Sequence, residues 1–159
     1  MTKSRKAAAP TWTDLFNLTP ETCAHLRHGT AVWQPCGYDW DAVVIAPLQR
    51  GLQALDALGL PLGGGYPVIA DHSRQELITY VATGSGRVLA DVQGVRVLTR
   101  GTDLLTPAGE YGTYAANWLS RPFTEVDRYV DPGALRTALL AVDTLPPIRA
   151  EEIEHAPAN

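Results

Sequence analysis

The chain is poor in the residues that announce a function at a glance. Two cysteines in 159 residues, Cys23 and Cys36, cannot make a disulfide framework. Without a secretory signal they are expected as free thiols. No run approaches the ~18 apolar residues that a spanning helix needs. The basic start, Met1-Thr-Lys-Ser-Arg-Lys6, continues into Ala7-Ala-Ala-Pro-Thr-Trp12 and not into the apolar core of a signal peptide. A cytoplasmic protein without a membrane partner is therefore expected. Charged residues make up only 19%, with a net charge of −4. Proteins that bind phosphate backbones usually carry a basic face, because released counterions drive that binding. Here the arginines are scattered among acids, and the one basic cluster is Lys3, Arg5 and Lys6 at the start. Nucleic acid is thus disfavoured as a tight partner.

What is present describes one α+β domain over residues 11–146, between a disordered arm (1–10) and an acidic flexible tail (147–159). At 45% apolar, the chain has enough to build one core. A helix is predicted from Pro20 to His28, capped by Thr19 and stopped by Gly29. Ala31 to Trp33 reads as a short strand, and the β-branched run of 40–46 as another. Pro47 opens the clearest helix, with Leu48, Leu52, Leu55 and Leu58 on one face and Gly59 and Pro61 at its end. Strands follow at 67–70 and 75–82, joined by a hairpin turn at Asp71 to Arg74. The second is apolar on both faces, which places it centrally in a sheet. Further strands are predicted at 94–98 and 103–106, and residues 107–123 show no clear period and read as a long loop or irregular layer. Asp131-Pro132 caps a last helix, which Pro146-Pro147 terminates. The expected architecture is one small mixed or antiparallel sheet packed with two to three helices.

Several groups of residues have the right chemistry but the wrong spacing. Cys23, His25, His28 and Cys36 are zinc-type ligands. On a helix, however, Cys23 and His25 differ by about 200° of rotation and point apart. Glu21, His25 and His28 share a face and read as solvated, and the spacing matches no common zinc motif. Asp39 and Asp41 lie at i and i+2, the arrangement of a carboxylate pair that holds Mg²⁺. They precede an apolar strand, where aspartates ordinarily form a turn, and that reading is preferred. Gly63-Gly-Gly65 runs from helix to strand, opposite to a phosphate loop. Gly84-Ser85-Gly86 lacks the nucleophile elbow. His72 stands alone in its hairpin, too little for a general base. No cofactor is expected from these residues.

Trp33, Trp40, Tyr80, Tyr111, Tyr114 and Trp118 offer stacking surfaces, although core packing explains most of them. The stretch from Gly109 to Trp118 mixes aromatic and small polar residues as adaptable binding loops do. Its Glu110, Tyr111, Tyr114 and Trp118 are the candidate binding residues.

Trp40-Asp-Ala-Val43, the helix Arg50 to Gly59, Glu76 to Ala82 and Gly94 to Ala108 together resemble small actinobacterial proteins. These are in turn similar to the N-terminal domain of bifunctional DNA primase/polymerases. The near-absence of lysine (only Lys3 and Lys6) fits a GC-rich genome of that kind. The resemblance spans residues 37–110 and implies a primase-like scaffold. The family's Asp-x-Asp closes an apolar strand, whereas Asp39 and Asp41 precede one. Its Ser-x-His has no counterpart in Ile78-Thr-Tyr-Val-Ala-Thr83, so no catalytic residue carries over. The leading expectation is a non-catalytic binding or regulatory module that contacts a partner protein. The alternatives are a degenerate or active nucleotidyl-transfer enzyme with Mg²⁺ on Asp39 and Asp41, and a nucleic-acid accessory protein using the basic arm. The oligomeric state is left open.

Overall fold

Alternation along one five-residue strand organises the molecule. In the computed structural model, which describes residues 9–144, β2 (Asp41–Ile45) is buried along its whole length. Val43 and Ile45 face one hydrophobic cluster, and Ala42 and Val44 face a second on the other side of the sheet. β2 pairs with β4 (Glu76–Val81) and with β5 (Val95–Leu98). β3 (Val68–Asp71), β8 (Ala116–Ser120) and β7 (Gly112–Thr113) complete a six-stranded sheet in the order β5-β2-β4-β3-β8-β7. Every pairing is antiparallel. β4 lies third of six, the interior place that its two apolar faces predict.

Helices cover one face. α2 (Leu48–Leu58) buries Leu48, Leu52 and Leu55, and Gly59 ends it at φ 78° in the left-handed region. Gly51, also buried, sets the distance between helix and sheet, because an added Cβ would lie 2.8 Å from the Leu77 Cβ on β4. α3 (Pro132–Asp143) starts at Asp131, whose side chain accepts the Ala134 N–H at 2.8 Å, and buries Leu135, Ala138 and Leu139 against α2. Trp12 closes this layer. Its indole donates to the Leu60 carbonyl at 2.8 Å, and Asp56 on α2 accepts the N–H groups of Trp12 and Thr13.

The opposite face carries a second sheet, where one sheet was expected. β1 (Thr30–Pro35) and β6 (Asp103–Ala108) form an antiparallel ribbon. The ribbon lays Ala31, Leu104 and Leu105 over Trp40, Ala42, Val44, Ile69, Ile78 and Tyr80. Covering that apolar face removes it from water, which a bare six-stranded sheet would not do. α1 (Pro20–Arg27), capped by Thr19 through the Thr22 N–H at 3.1 Å, packs beside β7. Of the expected terminal features, the arm's Lys3, Arg5 and Lys6, the Pro146-Pro147 stop and the acidic tail all lie outside the described residues.

The loop expected over 107–123 is a correction. β6 runs on to Ala108, and β7 and β8 form a hairpin on the sheet edge. A strand of two residues has no readable period, so the hairpin is held by particular contacts. Buried Asn117 donates from Nδ2 to the Tyr111 carbonyl at 2.8 Å, and its Oδ1 lies 3.0 Å from His72 Nε2. Gly112 has φ 87°, and a Cβ there would overlap the Ala116 carbonyl oxygen.

Candidate functional site

An aromatic concavity lies between the two sheets. Trp40, just before β2, turns to the ribbon side and stacks on Tyr80 of β4, with centroids 3.9 Å apart and planes 5° from parallel. Trp118 of β8 lies opposite Ile69. Tyr129 arrives from the irregular stretch before α3, which is fastened to the sheet by the Val130 N–H donating to the Tyr80 carbonyl at 2.9 Å. These four rings, with Pro67, Pro107 and Pro122, line a cleft of about 230 Å³. Its polar groups are Gln34 and Thr106 from the ribbon and exposed Asp127 and Arg128 from the stretch before Tyr129.

Burial sets the chemistry of the two phenols. Desolvation, and then the neighbouring Cys36 and Tyr129, push the Tyr80 pKa well above its ordinary value. Tyr129 is raised as well, first by burial and then by the charges of Asp127 and Asp39. Both phenols therefore remain protonated near neutrality, the form in which a phenol can donate a hydrogen bond to a ligand. Such a wall takes an apolar or flat group and orients it through a few polar contacts.

The expected site residues are divided among several places. Trp118 lines the cleft. Glu110 and Tyr111 line a separate depression with His25 and His28, where the Tyr111 ring stacks on His25 at 4.0 Å and 4°. Tyr114 meets His72 edge-on, centroids 6.4 Å apart, and its pKa is raised, chiefly by the Cys23 side chain beside it. The structure does not bring the four together. His25 and His28 are exposed with Glu21, while Cys23 is half-buried on α1 and Cys36 is fully buried in the second cluster. Among the described residues, no three of His, Cys, Asp and Glu converge as metal ligands would. Asp39 is exposed in the bend before β2. Asp41 is buried, with Oδ2 accepting the Gly84 N–H at 2.8 Å. His72 is occupied by Asn117, and Gly63 to Gly65 form the turn between α2 and β3.

Trp40 and Tyr80 were visible in the sequence as stacking surfaces. Strand parity relates them, since Trp40, Ala42 and Val44 share a side with Ile78 and Tyr80. Tyr129, Asp127 and Arg128 carry no such signal, because an irregular segment has no parity to read. No protein-family model, curated protein or solved structure matches the chain.

Proposed function

We propose that this is a non-catalytic binding module that grips a partner protein through the cleft between its sheets. The observation that carries the reading is the cleft wall itself: four aromatic rings and three prolines around about 230 Å³. Aromatic grooves of this kind take extended segments by packing their apolar side chains, and the bound conformation costs least when it is preformed, as in proline-rich peptides. Asp127 and Arg128 supply charges of both signs for register.

Selection from a displayed peptide library tests the reading. Peptides enriched on the protein are expected to lose roughly tenfold or more in affinity, about 1.4 kcal/mol, against Trp118→Ala or Tyr129→Ala. Trp33→Ala, which alters an exposed ring on the ribbon outside the cleft, is expected to leave affinity unchanged. Failure to enrich any peptide, or equal binding by Trp118→Ala, would contradict the reading.

A further inference from the structure

A second cavity, of about 500 Å³, opens on the helix side at the end of the six-stranded sheet. Asp41 at the start of β2, Thr83 and Gly84 after β4, and Thr99 and Arg100 after β5 surround it, with Arg87 on the short helical turn Gly86–Leu89. Val97 and Ala90 give it an apolar lining. Asp41 is 2% exposed, and only its Oδ2 is bonded, to the Gly84 N–H. The other oxygen, Oδ1, is buried without a partner. A buried carboxylate oxygen left unpaired is costly and calls for a group that satisfies it.

Arg87 and Arg100 line the same cavity. Arg100 is held over the Tyr38 ring at 4.3 Å, with one nitrogen 3.5 Å from the Gly37 carbonyl oxygen. Neither Arg87 nor Arg100 pairs with a carboxylate among the described residues. The cavity thus offers one buried anion and two available cations. Its complement carries one ammonium group and two carboxylates.

We propose that this cavity binds an acidic amino acid, its ammonium group on Asp41 and its two carboxylates on Arg87 and Arg100. Such a site is independent of the cleft, which opens on the other face of the sheet, so either can fail alone.

Calorimetric titration of the full-length protein tests it, with L-glutamate as the probe. Binding in the millimolar range or tighter is expected. N-acetyl-L-glutamate, which lacks the ammonium group, and L-glutamine, which lacks one carboxylate, are expected to bind roughly tenfold more weakly or worse. Asp41→Asn should abolish the preference for the free amine. Because Asp41 is buried, that variant is paired with the surface changes Arg87→Gln and Arg100→Gln. One of these should abolish the preference for L-glutamate over L-glutamine, and the other, which holds the α-carboxylate, should weaken both ligands alike. No heat of binding up to about 10 mM L-glutamate, equal binding of the blocked analogues, or undiminished glutamate-over-glutamine selectivity in both arginine variants would overturn the proposal.

Discussion

At the scale of single residues, buried ionisable groups give the molecule a defined response to alkali. Cys36 is wholly buried, and its thiol is pushed up to about 11, first by desolvation and then by the charges of Asp41 and Asp103. In the unfolded chain the same thiol loses its proton nearer its ordinary value of 9.0. Between these values the unfolded state binds fewer protons than the folded one, so stability is intact below about pH 9 and falls as pH rises toward about 11. The loss from this group is on the order of 2 kcal/mol. Denaturant titrations at stepped pH are expected to show this fall, and Cys36→Ala to flatten part of it. Tyr80, raised by its own burial, accounts for a further share. An unchanged alkaline slope in Cys36→Ala would contradict the assignment. None of this is visible in the sequence, where Cys36 is one of two isolated cysteines in a Pro-Cys-Gly turn. Its burial depends on a ribbon that local pattern does not reveal.

Among the elements, the helices were the most legible, because their signals are local. Thr19 and Asp131 act as the caps that their positions before Pro20 and Pro132 predict, and the leucine spacing of α2 gives its buried face. The strands of the central sheet were readable from β-branched runs. The β7–β8 hairpin and the pairing of β1 with β6 were not, since both rest on contacts between distant segments. Arg50 is one such contact. Its guanidinium holds Asp143 of α3 through two bonds of 2.9 and 2.8 Å, and donates to the carbonyls of Ala46 at 3.1 Å and Gln93 at 2.8 Å. One side chain therefore ties α2, α3 and the turn before β5 together. Arg50→Ala is expected to lower unfolding free energy by about 1–3 kcal/mol, mostly through the lost carbonyl bonds, of which that to Ala46 is part-buried. Asp143→Ala, which removes only a partly exposed ion pair, is expected to cost about 1 kcal/mol or less. Urea midpoints of the two variants measure the difference, and equal losses would contradict the assignment of the energy to the carbonyl bonds.

At the scale of the whole molecule, the α+β architecture gives one sheet two unlike faces. Helices and Trp12 cover most of the first face, and no helix among the described residues is long and apolar enough to cross a membrane. The ribbon covers the second face, and the aromatic cleft lies between ribbon and sheet. The candidate site was only partly legible for this reason. Trp118 stood out in an aromatic stretch, but its cleft neighbours come from segments far apart in the chain. Glu110, Tyr111 and Tyr114, its neighbours in sequence, point to other surroundings. The four tryptophans provide an internal control on the binding reading, because Trp40 and Trp118 line the cleft whereas Trp12 is sealed beneath the helices and Trp33 is exposed on the ribbon. The most direct measurement is the set of four indole N–H resonances, assigned by substitution, while a selected peptide is titrated in. The account predicts progressive shifts for Trp40 and Trp118 with Trp12 and Trp33 nearly unmoved. Shifts confined to Trp33 or Trp12, or none in Trp40 and Trp118 at saturation, would contradict the cleft as the seat of binding.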